Sequence, residues 1–275
     1  HLYREGVAGV RQQEMHWLNR SNRALEEARF ELYFQPIAHT VAPEDGPDCT
    51  HYELLLRMID EDGNVIPPGT FIAAAERYDR MQALDRWVVA EALAHADQGD
   101  PEQQAAYTLS INLSGNSLSD DRFLEYIKDV LAETPLCKGG VCFEITETAA
   151  IANLNRVRHF MSELKKLGCL FSLDDFGSGL SSFAYLKNLP VDFLKVDGAF
   201  IKNVARDDVD QSMVAAIQQV AQAMGIRAVA EHVEDEATRV RLAEIGVPLV
   251  QGFHIARPAP VRRFSPWSAE ASRRA

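Results

Sequence analysis

Cysteine is scarce: the chain has four in 275 residues. Cys49, Cys137, Cys142 and Cys169 form no Cys-x-x-Cys pair and have no matching histidine tract. A zinc knuckle is therefore not expected, and neither is a disulfide framework, which favours short secreted chains. Reduced thiols in a cytoplasmic protein fit best. No apolar run approaches the ~18 residues of a bilayer-crossing helix, so no membrane span is expected here, although an anchor on a longer parent protein is compatible with this. Positive charge is in deficit, with 28 Lys and Arg against 40 Asp and Glu and a net charge of −12. A surface for a nucleic-acid polymer is thus not expected, and any anionic ligand would have to be neutralised locally. The chain holds no internal repeat and no low-complexity tract.

The most informative stretch present is Phe171-Ser-Leu-Asp-Asp-Phe-Gly-Ser-Gly-Leu-Ser-Ser182. Apolar residues lead to two adjacent carboxylates, and a glycine-rich turn follows. A buried strand ending in Asp174-Asp175 is costly unless a cation or strong donors neutralise it. A helix cap or solvated turn is the plain alternative for a lone Asp-Asp. The same layout, however, recurs along the chain.

Side chains alternate across a strand, so His51, Glu53, Leu55 and Arg57 share one face, and Ser110 and Asn112 oppose Leu109, Ile111 and Leu113. Cys142, Glu144 and Thr146 oppose Val141, Phe143 and Ile145, and Ser172 and Asp174 oppose Phe171 and Leu173. Phe193, Lys195 and Asp197 oppose Leu194 and Val196; Val229 and Glu231 oppose Ala228 and Ala230; Leu249 and Gln251 oppose Val250. Each strand has an apolar face and a face ending in a polar group. Helix-length segments separate them: 71–94, 121–131, 154–167, 210–224 and 236–245, with Gly168, Gly225 and Gly246 placed just past three of their ends. Strand–helix alternation predicts a parallel sheet with crossover helices. Seven or eight such units in roughly 240 residues suit one α/β domain, a (β/α)8 TIM-type barrel, whose functional groups lie at the carboxyl ends of the strands. An open doubly wound sheet is the alternative, but so many polar strand tips converge only if the sheet closes.

The chain resembles the EAL-domain cyclic di-GMP phosphodiesterases. The motifs that carry the resemblance are Glu53-Leu-Leu-Leu-Arg57, Asn112, Glu144-Ile-Thr-Glu147, Asp174-Asp-Phe-Gly-Ser-Gly179, Lys195-Val-Asp197, Glu231-His-Val-Glu234 and Gln251-Gly-Phe253, preceded by Tyr33-Phe-Gln-Pro-Ile37. They stand in the family's order and cover about residues 20–262. The resemblance implies a barrel whose first strand runs antiparallel, and metal-dependent opening of cyclic di-GMP to linear 5'-pGpG in bacterial second-messenger signalling.

It also implies a site. Glu53, Asn112, Glu144 and Asp174 would hold one Mg²⁺ or Mn²⁺ ion, and Asp174 would bridge to a second ion held with Asp175. Hard oxygen donors suit these metals. Glu231 would be the general base or a ligand beside the attacking water, and Lys195 would orient water or neutralise charge. Arg57 would meet a phosphate, with Gln35, Asp197 and Gln251 in contact with the nucleotide. Glu147 would anchor the loop that follows Asp175.

Plainer readings exist for single residues: a Glu53–Arg57 ion pair, a buried Lys195–Asp197 salt bridge, turn residues at Asn112 and Gln251, and non-ligand roles for His232 and His254. Three positions depart from the family's commonest pattern. Leu54 stands where Ala is frequent, Leu180 where Tyr is frequent, and His232 where Gly is frequent; a His there is strained if φ is positive. The rival functions are a silent EAL module that binds cyclic di-GMP as a receptor, and a different metal-dependent barrel enzyme.

The expected organisation is an arm over residues 1–30, helical from Glu14 to Ala28, then the barrel over 31–262 and a tail over 263–275. The arm either packs on its own barrel or connects to an upstream GGDEF or sensory domain. Residues 42–49 read as an exposed hairpin loop. The resemblance further implies a homodimer formed through the segment from Gly177 to Leu186.

Overall fold

The computed structural model describes residues 2–44, 49–96, 107–134, 139–177 and 183–263. The tip of the 42–49 loop, Leu180 with the middle of the 177–186 segment, and the tail from 264 lie outside the described residues.

The period-two pattern closes into a barrel. Strands β1 (Phe30–His39) and β2 (Cys49–Ile59) form a long antiparallel hairpin, and β3 (Val65–Ile66) adds a short pairing to β2. Strands β4 (Thr108–Asn112), β5 (Val141–Thr146), β6 (Leu170–Phe176), β7 (Phe193–Val196), β8 (Arg227–Ala230) and β9 (Leu249–Val250) follow in parallel from β2. Strand β9 pairs antiparallel with β1 and shuts the ring, and β10 (Ala259–Pro260) pairs with the outer part of β1. The first strand therefore runs against its neighbours, as the resemblance implies.

The outward faces are the apolar ones. Phe143, Phe171, Leu173 and Leu194 have no exposure and pack in one cluster with helix residues such as Phe123 and Leu164. Full burial of each such side chain contributes roughly 1.5–3 kcal/mol. The inward faces carry Ile37, Cys142, Phe193, Val229 and Leu249 as a separate small cluster. On each parallel strand these residues lie two positions before the polar tip, so they form a floor beneath it. His51 belongs to that floor: its Nε2 lies 2.7 Å from Ser110 Oγ, and its ring centroid is 4.7 Å from that of Phe193. Burial, with Arg227 and Lys195 nearby, pushes the His51 pKa down to about 3, which leaves the ring neutral.

The helices start where short acceptors stand ready. Asp120, Asp207 and Asp235 cap the helices Asp121–Glu133, Asp208–Ala223 and Glu236–Ile245, each accepting from backbone N–H groups of the first turn. Gly246 closes the last of these in the left-handed region at φ 88°. Two expectations are corrected. The segment 71–94 is not one helix but two, Ile72–Arg77 and Met81–Ala96. The break falls at Asp79, whose φ is 53° and whose carboxylate accepts from Asn116 Nδ2 at 2.9 Å. The expected strand from Val141 to Glu147 stops at Thr146, which caps an additional short helix, Glu147–Ala152.

The arm helix α1 runs Leu2–Glu26, longer than the expected span. Its second half packs on its own barrel, with Ala24, Trp17 and Leu25 in a cluster with Phe71, Met81 and Leu84. Glu14 pairs with Arg77, and Arg20 with Glu61 at 2.9 Å. Cys142 and Cys169 are buried free thiols.

The helix Met81–Ala96 buries Asp85 at 3% exposure. Burial outweighs three hydrogen bonds from Ser114 and Ser117 and raises its pKa to about 6. A carboxyl whose pKa is higher folded than unfolded opposes folding once it ionises. Stability is therefore expected to fall as pH rises from about 4 to about 6, by roughly 3 kcal/mol from this group alone. Melting curves of the wild type against Asp85→Asn over that range check this; parallel pH profiles would contradict it.

Candidate active site

Strand β6 carries the two carboxylates, and its geometry explains how both reach the barrel mouth. Neighbouring strand residues normally diverge. Here Asp175 adopts φ 55°, in the left-handed region, and the β6–β7 register shifts between Leu173 and Phe176. The kink turns Asp175 back toward Asp174. One oxygen from each of Asp174, Asp175 and Glu231 lies within 4.8 Å of the others.

The centre of the site is Lys195, on β7 at 1% exposure. Its Nζ lies 2.7 Å from Glu144 Oε2, 2.9 Å from Glu231 Oε1, 3.2 Å from Glu53 Oε2 and 3.3 Å from Asp174 Oδ1. Three strands and the residue just past a fourth thus deliver four carboxylates to one ammonium, which has only three protons to donate. The buried Lys195–Asp197 bridge does not form; Asp197 instead caps the short helix Gly198–Ile201, accepting from Ala199 N at 2.7 Å. Glu53 likewise pairs with Lys195 and not with Arg57.

Lys195, Glu144 and Glu53 are buried from water, while Asp174 and Glu231 keep a partly exposed edge. Burial works against the Lys195 charge, yet Glu144, Glu231, Glu53 and Asp174 together raise its pKa well above the ordinary value. Burial raises Glu144 to about 8, with Glu53 and Asp174 adding to it and Lys195 opposing. Glu231 is raised well above its usual range by burial first, then by Asp174 and Glu53 against the pull of Lys195. Burial, Asp174 and Asp197 raise Asp175. Glu53 goes the other way: burial is outweighed by Lys195 and by hydrogen bonds from Asn112 and Gln251. The Asn112 amide donates to Glu53 Oε1 at 2.8 Å, and the Gln251 amide to Oε2 at 2.7 Å.

Beside this cluster opens a cavity of about 250 Å³ lined by Gln35, Glu53, Leu55, Glu231, Gln251 and Phe253, among others. Gln35 accepts from Gln251 Nε2 at 3.3 Å and donates to the Ala256 carbonyl at 2.9 Å. Arg57 does not line the cavity: its guanidinium lies 5.4 Å from the Tyr33 ring and donates to the Leu56 carbonyl. Glu147, at 2% exposure, accepts from the Gly177 N–H at 3.0 Å and from the Tyr185 hydroxyl at 2.5 Å. Gly177 has φ 100°, and a Cβ there would meet Phe200 at 2.6 Å.

Five residues of the cavity lining carried no catalytic, binding or metal role in the sequence reading: Leu55, His232, Glu234, Gly252 and Phe253. Phe253 is 52% exposed with the Arg257 guanidinium 4.4 Å from its ring centroid, an exposed aromatic that strand phase alone does not mark. His232 has φ 55°, the strain its departure from glycine foreshadows, and its Nδ1 lies 2.6 Å from where a Cβ on Gly198 would stand.

The donor set fits hard divalent cations. Glu53, Glu144, Asp174, Asp175 and Glu231 supply carboxylates and Asn112 an amide, and no histidine is among the cluster. Glu144 Oε1 is buried with no hydrogen-bond partner, an orphaned oxygen of the kind a cation satisfies.

Residues 18–258 match the family model described as EAL domain. Cyclic di-GMP phosphodiesterase PdeB of Shewanella oneidensis is 41% identical over 90% of this chain and 28% of its own length. Cyclic di-GMP phosphodiesterase PdeF of Escherichia coli is 33% identical over 89% of this chain and 32% of its own. The chain thus spans about a third of the length of these curated relatives. Among solved structures, the PaMucR phosphodiesterase in its c-di-GMP complex is 30% identical, with TM-score 0.83 over 90% of this chain and 99% of that one. The FimX EAL domain of Pseudomonas aeruginosa bound to c-di-GMP is 26% identical, with TM-score 0.80 over 88% and 96%.

Lys195→Met would leave the buried carboxylates without their ammonium. A loss of about 3–5 kcal/mol at neutral pH is expected, shrinking near pH 5 as the carboxyls take up protons. Chemical denaturation at the two pH values measures it; an equal loss at both would show that charge is not the cause.

Proposed function

The chain belongs to the EAL-domain family, and we propose that it is a cyclic di-GMP phosphodiesterase that releases linear 5'-pGpG. The observation that carries this reading is the convergence of Glu53, Glu144, Asp174 and Glu231 on Lys195, with Asn112 on Glu53 and Asp175 beside Asp174, next to an open cavity. A receptor that only binds the nucleotide has no use for so costly a concentration of charge.

Glu53, Asn112, Glu144, Asp174 and Asp175, with Glu231 at the edge, would hold two hard divalent ions, Mg²⁺ or Mn²⁺, which acidify water and neutralise phosphoryl oxygens. Glu231 takes the proton of the attacking water, whose oxygen adds to phosphorus as the bond to the 3'-oxygen breaks. Its carboxylate lies at the cavity wall, beside Asp174 and Asp175 and 2.9 Å from Lys195 Nζ, within reach of a water held there. Lys195 holds Glu144, Glu231, Glu53 and Asp174 in one arrangement and balances part of their charge. Gln35 and Gln251 offer amide groups to the nucleotide at the cavity wall. Arg57 leaves Tyr33 to meet a phosphate, and Asp197 contacts the nucleotide with the oxygen its cap leaves over. Glu147 fixes Gly177 and with it the turn after Asp175.

One observation favours the silent-receptor alternative: His232, next to Glu231, holds a left-handed φ of 55°, a conformation that side chains other than glycine rarely adopt. The chain is further proposed to work in the cytoplasm as a homodimer downstream of a GGDEF or sensory domain. No helix among the described residues is long and apolar enough to cross a membrane.

Incubation of the pure protein with cyclic di-GMP and Mg²⁺, followed by chromatography, is expected to yield the linear dinucleotide. Excess chelator should abolish turnover, and Ca²⁺, with longer and looser bonds, should inhibit. Tight binding with no turnover in either Mg²⁺ or Mn²⁺ would hand the function to the receptor reading.

Glu231→Gln keeps the shape of the side chain and removes the base. A rate loss of roughly 10²–10⁴-fold with nucleotide binding retained is expected. A near-normal rate in steady-state assays would move the base elsewhere.

A further inference from the structure

We infer that Asp85 is a positioning residue that fixes Asn112 against Glu53; this rests on the reading of Asn112 as a metal ligand. Asn112 ends β4, and its own side chain is exposed apart from the bond to Glu53. Its placement therefore depends on the backbone of the strand tip and of the turn that follows. Asp85 holds that turn. A single oxygen, Oδ2, accepts from Ser114 N at 3.1 Å, Ser114 Oγ at 2.6 Å and Ser117 Oγ at 2.6 Å. Ser114 lies two residues beyond Asn112, so the clamp grips the chain one residue past the ligand's neighbour.

The rest of the turn is fixed by weaker means. The Leu113 N–H donates to the Glu144 carbonyl at 2.9 Å, which ties the tip to β5. Asn116 donates to Asp79, at the strained junction of the two helices. Gly115 comes so close to the helix Glu147–Ala152 that an added Cβ would stand 3.2 Å from Ala149 Cβ. Asp79 is exposed to water, so of the two carboxylates that hold this turn only Asp85 is a buried charge. An ionised acceptor makes its hydrogen bonds about twice as strong as a neutral one, and Asp85 ionises at neutral pH although burial raises its pKa to about 6. A costly buried carboxylate aimed at a turn beside a ligand matches the way outer-shell groups orient metal ligands. Strand phase could not find it, because Asp85 lies on a helix with no motif around it.

Mn²⁺ titration of the full chain without nucleotide, by calorimetry beside thermal melts, tests the inference. Asp85→Ala is expected to weaken Mn²⁺ binding about 10–100-fold, and Asp85→Asn, which keeps an acceptor oxygen, to recover part of that. Placed on Asn112→Ala, Asp85→Ala should cost no further affinity. An Asp85→Ala protein with a lowered melting temperature and unchanged Mn²⁺ affinity would overturn the inference, as would an undiminished extra loss in the Asn112→Ala background. If Asp85→Ala does not fold, Ser117→Ala carries the same cycle: a smaller loss that disappears in Asn112→Ala supports the clamp, and unchanged affinity overturns it. An Asn112→Ala protein that binds Mn²⁺ as the wild type does would instead refute the ligand reading, and the inference with it.

Discussion

One ammonium among four carboxylates is the constraint on which the site depends. Counting Glu53, Glu144, Asp174 and Glu231 as ionised against Lys195 gives 1 − 4 = −3 formal charges inside a closed sheet. Such an excess does not persist at low dielectric; it is relieved by protons, by cations or by directed dipoles. The raised Glu144 and Glu231 are the proton solution, and the depressed Glu53, with amide donors on both oxygens, is the dipole solution. Cations are the third. A site that trades protons for metal ions binds metal more weakly in acid and releases protons as it fills.

Closure of the sheet makes this concentration of charge attainable. Glu53, Glu144, Asp174 and Lys195 come from four different strands, each at the inward phase of its own, and Glu231 directly follows a fifth. The apolar outer face packs on helices and supplies the burial that offsets the electrostatic cost. The kink at Asp175 and the strained His232 lie at the strand ends, where the barrel's regular hydrogen bonding runs out.

Much of this was legible in the sequence because period two is unambiguous where charged and apolar residues alternate. Cys142, Glu144 and Thr146 could only oppose Val141, Phe143 and Ile145, and the helix Glu236–Ile245 was bounded by its own cap and its glycine. The closing partners of Lys195 were not legible. Phase placed it beside Asp197, whereas contacts across the barrel depend on closure, which no local pattern encodes. The break at Asp79 was hidden because Asp is not a glycine and carries no mark of a left-handed φ. The helix Glu147–Ala152 was hidden because Thr146 serves equally as a strand end and as a cap. Arg57 over Tyr33 is a cross-strand contact of the β1–β2 hairpin, where register and not composition decides.

The floor beneath the charged layer has a consequence for traffic. Ile37, Cys142, Phe193, Val229 and Leu249 stop the barrel from below, with the neutral His51 wedged against Phe193 and Ser110. Closed from below, the cup opens at its rim. Under the proposed function, ions, reactant, water and product would all pass that rim, and a dinucleotide seated there would cork whatever lies deeper. Loading would then be ordered by geometry: small ions would have to enter first and would stay shut in for as long as the larger guest remained.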